Sequence, residues 1–164
     1  MIVLDFENLL EESCTIPEDE NEIIESLYCH SFWGTQIFIV GGSIFSAEYP
    51  ILCFARELKR VTWELERGKD RTMLFSPDCT CNTLTFSMQE NQVSIVSNSR
   101  EFNELYPERI SLLELSSAVC KYFDRVVDSL ATFVPALRTN AIVNLWLNDL
   151  SKAGDDSNAF RNQL

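Results

Sequence analysis

Two hydrophobic periods alternate along the chain. Ile2-Val3-Leu4-Asp5-Phe6 suits a short strand. Glu11 to Glu25 is a polar connection around Pro17, with room for a short helix from Glu18. Thr35 to Val40 is rich in β-formers and ends at Gly41-Gly42, after which Ser43 to Ser46 returns as the second strand of a hairpin. At Pro50 the period lengthens. Ile51, Phe54/Ala55, Leu58, Val61/Thr62 and Leu65 recur at the spacing of an amphipathic helix, and Gly68 lies where a left-handed cap is common. Met73-Leu74-Phe75 reads as a strand. Leu84, Phe86 and Met88 then alternate with Thr85 and Ser87, Glu90-Asn91-Gln92 makes a turn, and Val93 to Ser97 returns as a second hairpin.

The last third has helical spacing. Ser111-Leu112-Leu113-Glu114 has the form of a capping box, in which the Ser oxygen accepts from the Glu amide and the Glu side chain reaches back to the Ser amide. Behind it Leu112, Leu115, Val119, Tyr122, Val126, Leu130 and Phe133 recur every three or four residues. Pro135 lacks an amide hydrogen and is expected to end or kink this helix. A further helix is expected to run to about Leu150 with Ile142, Leu145 and Trp146 inward. These elements predict an α+β fold: an antiparallel sheet of about five strands packed against an amphipathic helix and a C-terminal helical pair. Residues 1–150 are expected to form a single domain and 151–164 a polar tail.

Composition adds one strong feature. The chain of 164 residues has 46% apolar residues, enough for a core. It carries 13 Lys and Arg against 25 Asp and Glu, a net charge of −12. The charge is uneven. Residues 1–55 contain Asp5, Glu7, Glu11, Glu12, Glu18, Asp19, Glu20, Glu22, Glu25 and Glu48, and no Lys or Arg before Arg56. Such a balance disfavours direct contact with nucleic acid or an anionic membrane; it either favours a basic protein partner or simply keeps the chain soluble, with the acidic stretch a solvated segment. Glu11, Glu12, Glu18, Asp19, Glu20, Glu22 and Glu25 are therefore the candidate partner-binding residues. Arg56, Lys59, Arg60, Arg67 and Lys69, on or after the first helix, are expected on a solvated face or paired with the acidic third.

Motifs for chemistry are sparse. The N-terminus has no base ahead of its apolar residues, and no apolar run approaches the roughly 18 residues of a membrane span, so a cytoplasmic protein is expected. Cys14, Cys29, Cys53, Cys79, Cys81 and Cys120 are expected to be reduced and mostly in the core, with neither disulfide nor zinc. Gly41-Gly42 lacks the spacing of a phosphate loop, and the acids from Glu18 to Glu25 lack that of a calcium loop. His30 is the only histidine, so common His-based mechanisms reduce to that residue. No enzyme activity and no cofactor are expected. Trp146 is expected in the core, while Trp63, off the main stripe, suits either a partner or the underside of a sheet.

The order of features has a parallel. A short N-terminal strand, an acidic connection, Trp33-Gly34 before a strand, the Gly41-Gly42 turn, Glu48-Tyr49-Pro50 leading into an amphipathic helix, a β-hairpin and a capped C-terminal helix follow one another. This layout resembles the small acidic α+β immunity proteins of bacterial polymorphic toxin and contact-dependent growth inhibition systems. The resemblance implies an inhibitor that binds a cognate toxin domain, often a nuclease with a basic surface, in the cytosol. It carries over no individual site residue. Two other classes stay open: an acidic adaptor or structural subunit, which would show a broad apolar surface, and an enzyme with a site around His30, Cys29 and the acids, which would need a pocket where they converge.

Overall fold

A computed structural model describes residues 2–10, 24, 32–74, 83–98 and 108–151. The fold is α+β with antiparallel sheets. Strands β1 (Ile2–Leu10), β2 (Trp33–Val40) and β3 (Ser43–Pro50) form one sheet in the order β1-β2-β3. Helix α1 (Ile51–Leu65) follows. Strands β4 (Arg71–Leu74), β5 (Thr83–Gln89), β6 (Gln92–Asn98) and β7 (Glu108–Ser111) form a second sheet in the order β4-β5-β6-β7. Helices α2 (Leu112–Ala131), α3 (Ala136–Thr139) and α4 (Ala141–Asn148) complete the described residues. Both anticipated hairpins are present. The strands divide into two sheets, however, where one of about five strands was expected, because α1 leaves the end of the first sheet and delivers the chain to the second.

The first hairpin closes at Val40↔Ser43 through Gly41, which adopts a positive φ of 60°. The second closes at Gln89↔Gln92 through Glu90 (φ 51°) and Asn91 (φ 63°), two non-glycine residues in the left-handed region. Gly34 serves a different purpose. A Cβ there would lie 2.7 Å from Ile51 Cδ1 and 2.8 Å from the Glu7 carbonyl oxygen, so only glycine lets β1, β2 and α1 close together.

Helix α1 is central. It touches β2 and β3 of the first sheet, β4 and β5 of the second, and α2. Its predicted stripe is buried, and so are Leu52, Cys53, Arg56 and Arg60. The helix ends as the glycine suggested. Gly68 has φ 71°, with its N–H donating to the Leu65 carbonyl (2.9 Å) and the Lys69 N–H to the Glu64 carbonyl (3.0 Å). Those are the paired bonds of a Schellman cap. The sheets meet where the Phe38 and Phe86 rings stack, centroids 6.3 Å apart.

Helix α2 begins at the expected cap. The Glu114 N–H donates to Ser111 Oγ (3.2 Å), while the Ser111 hydroxyl donates to the Glu114 carboxylate (3.2 Å). The reciprocal bond thus uses the Ser hydroxyl where the capping-box reading had its amide. Leu115, Val119, Tyr122, Val126 and Leu130 are buried as expected, joined by Phe123 and Val127. The stripe stops short of Phe133, which lies beyond the last turn, 40% exposed, with Val134 buried in its place. Pro135 caps the short α3.

The inward face of the last helix is corrected. Val143 and Leu147 are buried, whereas Ile142 and Leu145 are exposed and Trp146 is half-buried. Asn140 is the cause. It takes an extended conformation (φ −89°, ψ 123°), and its side-chain oxygen accepts from the N–H groups of Ile142 (2.8 Å) and Val143 (3.1 Å). This interrupts the helix after α3 and resets its phase. Of the cysteines described, Cys53 is buried, its thiol donating to the Tyr49 hydroxyl (3.7 Å), but Cys120 is exposed on α2 and so departs from the core reading. Cys14, Cys29, Cys79 and Cys81 lie outside the described residues, as do His30, Phe75 and residues 152–164 of the expected tail.

Candidate protein-docking surface

The seven candidate residues Glu11, Glu12, Glu18, Asp19, Glu20, Glu22 and Glu25 lie outside the described residues. The other three acids of the first 55, Asp5, Glu7 and Glu48, are described, and strand alternation puts them on one face. In the first sheet Leu4, Phe38, Val40 and Phe45 turn inward and are buried. Their sequence neighbours therefore turn outward. The register aligns these outward residues in rows across the strands. Val3, Ile39 and Ile44 form one row; Asp5, Ile37 and Ser46 the next; Glu7, Thr35 and Glu48 the third. Val3 is 37% and Ile44 55% exposed, and Glu7 and Glu48 are exposed. The face thus grades from apolar at the Gly41-Gly42 end to acidic at the other.

Sequence alone counts Asp5, Glu7 and Glu48 among the acids of the first third without setting them on a face, and the apolar row beside them is not read from it. The signal was the uninterrupted run Ile37-Phe38-Ile39-Val40. A strand solvated on one face alternates apolar and polar residues, whereas a strand apolar on both faces is one whose second face also excludes water.

The edge of β1 is less suited to a partner than its face. Arg125, from α2, donates to the Leu4 carbonyl (2.6 Å) and pairs with Asp5 (3.2 Å), while Asp5 accepts from the Phe6 N–H (2.8 Å). Alternate residues of an antiparallel edge strand direct their main-chain groups outward. Asp5 and Arg125 occupy two of those groups, which blunts the edge against strand addition. Beside it, β1 and α2 enclose an open groove of about 470 Å³ with Ile2, Leu4, Ala118 and Tyr122 among its walls and Glu114, Ser117, Lys121 and Arg125 at its polar side. Glu114 is engaged in the α2 cap, and Arg125 holds β1.

Behind the face lies a buried polar pair. The Tyr122 hydroxyl donates to Gln36 Oε1, and Gln36 Nε2 donates to the carbonyls of Gly34 (3.2 Å) and Tyr49 (3.4 Å). Burial pushes the Tyr122 pKa far up, opposed by the Arg125 charge and reinforced by Asp5. The phenol therefore stays protonated and serves as a fixed donor that ties α2 to the middle strand. Tyr122 also meets Phe6 and Phe54 edge-on, with centroids 6.2 Å and 6.1 Å away.

The bases of α1 are not a solvated row, which corrects the expectation for Arg56 and Arg60. Arg56 is 1% exposed; it donates to the carbonyls of Trp146 and Asp149, each at 3.3 Å, and lies 4.4 Å from the Trp146 ring centroid. It closes the C-terminal end of α4. Arg60 is 3% exposed and pairs with Glu57 at 2.7 Å. Lys59 sits 4.0 Å from the Phe123 ring and donates to Asn148. Arg67 stacks on Trp63 at 3.8 Å, which gives that half-buried tryptophan an intramolecular neighbour. The fold thus turns its first cluster of bases toward its own aromatic rings and carbonyls, away from the acidic face.

Among the described residues no three His, Cys, Asp or Glu side chains converge as a metal site, and no helix is long and apolar enough to cross a membrane. Compared with known proteins, the chain matches no family model, no curated protein and no solved structure.

Proposed function

We propose that this chain is an immunity-type inhibitor: a cytoplasmic, non-catalytic protein that binds a basic toxin domain, a nuclease by charge, and neutralises it. The observation that carries the reading is the partition of charge. Ten acids and no bases occupy residues 1–55. Arg56 and Arg60, two of the first three bases to follow, are buried and engaged within the fold. Two bases next in sequence to the acidic third are thus withheld from solvent. A surface of one sign steers an oppositely charged partner and raises its association rate by roughly 10–10³. A nuclease displays cationic groups for phosphate, and an acidic inhibitor competes for those groups.

The test is neutralisation in defined components. The reading predicts a large toxin gene directly upstream of this one, and the absence of such a gene counts against it; the C-terminal domain of that toxin is produced alone and mixed with the full chain. The reading predicts a stoichiometric complex by size exclusion and loss of the domain's toxic activity at equimolar inhibitor. Full activity with the chain in several-fold excess refutes it.

A further inference from the structure

The outer face of the first sheet combines two properties that seldom share an exposed sheet. Its row Val3–Ile39–Ile44 is apolar across all three strands, with both ends open to solvent. Its row Glu7–Thr35–Glu48 places an exposed carboxylate on each outer strand. The rows are four residues apart along the strands, about 13 Å at ~3.3 Å per residue, and the two glutamates sit two strand spacings apart, roughly 9.5 Å. Asp5, in the intervening row, is paired with the half-exposed Arg125 guanidinium, so the carboxylates the face offers are those of Glu7 and Glu48. Bases of the following helix are held elsewhere by Trp146, Phe123 and Trp63, so they do not neutralise it.

We infer that this face is where the partner docks, an inference that rests on the inhibitor reading above. The occupant is a basic protein surface with a matching layout. One apolar side chain seats on Val3–Ile39–Ile44, and two Lys or Arg side chains about 13 Å away meet Glu7 and Glu48. Charge complementarity selects the occupant. An anionic ligand is repelled by the glutamates, and a second copy of this chain, placing the same acidic row against the apolar one, gains no charge pairing. The apolar row supplies the desolvated anchor that slows dissociation, and the acidic row acts mainly on encounter.

Two variants of the full chain separate these roles, with the upstream-encoded domain as probe. Val3→Thr with Ile44→Thr keeps β-branched side chains on exposed positions and removes apolar anchor surface. Dissociation is expected to quicken about tenfold or more, with association little changed. Glu7→Gln with Glu48→Gln is expected to slow association about threefold and flatten its salt dependence. Leu145→Ser, an exposed apolar position on α4, is the control and should leave both rates alone. A thermal melt of each variant shows that it is folded. Wild-type binding with both face variants unchanged overturns this docking face and leaves the inhibitor reading intact. Loss of binding by the Leu145→Ser chain to the same extent overturns it too. No binding by the wild-type chain refutes the inhibitor reading, and the docking face falls with it.

Discussion

Replacing Tyr122 by Phe tests the internal architecture behind the acidic face. The ring keeps its edge-on contacts with Phe6 and Phe54, so the change is confined to one hydroxyl. That hydroxyl donates to Gln36, whose side chain is fully buried at 0% exposure. Water cannot take its place, and Gln36 Oε1 is left desolvated. Stranding one buried acceptor costs about 1–3 kcal/mol. In a chain of this size each kcal/mol lowers Tm by roughly 2–4 °C, so a loss near 2 kcal/mol shifts the melt by about 4–8 °C. Gln36→Met, close in volume, strands the phenol in turn. The double variant Gln36→Met/Tyr122→Phe replaces both polar partners at once and should lose less than the sum of the singles, with a coupling of about 1–2 kcal/mol. Urea unfolding followed by circular dichroism measures all four corners, with the m-value held constant as the control. A Tyr122→Phe cost below about 0.5 kcal/mol, or strict additivity in the cycle, refutes the claim that this pair ties α2 to β2.

The same group governs stability in alkali. Burial raises the Tyr122 pKa above its ordinary value of 10.0, so above pH 10 the unfolded chain releases a proton that the folded chain retains. This stability is fully present below pH 10 and is lost as pH rises beyond it; urea midpoints at pH 9 and pH 11 should fall less for Tyr122→Phe than for the wild type. Gly34→Ala forces a Cβ against Ile51 and the Glu7 carbonyl, and is expected to cost about 1–3 kcal/mol in the same unfolding assay. Changing Glu90-Asn91 to Asn-Gly relieves two positive-φ positions in a two-residue turn and is expected to add about 1 kcal/mol.

The sequence revealed local structure more fully than assembly. Period-2 and period-3.6 patterns located both hairpins, α1 and α2, because alternation, turn residues and the Ser111 cap all agree on those segments. The division into two sheets was not legible: β4 pairs with β5 and β7 with β6, at opposite edges of the second sheet, and the four residues Glu108–Ser111 are too short a stretch to show a period. The phase of α4 failed for a local reason: Asn140 interrupts the helix and rotates Val143 and Leu147 inward. Arg56 and Arg60 were misread because residue type favours exposure, while the position of α1 between two sheets and α2 overrides it. Charge was legible by counting alone. The apolar row became visible only once strand register set Val3 beside Ile39 and Ile39 beside Ile44.

We propose that the acidic first third captures a basic partner. The most direct test is the association rate of the toxin domain with a chain in which Glu18, Glu20, Glu22 and Glu25 become Gln and Asp19 becomes Asn, measured by stopped flow across a series of salt concentrations. The inhibitor account predicts that association slows several-fold at low salt and that the dependence of its rate on salt flattens. An on-rate and a salt slope equal to those of the wild-type chain contradict it.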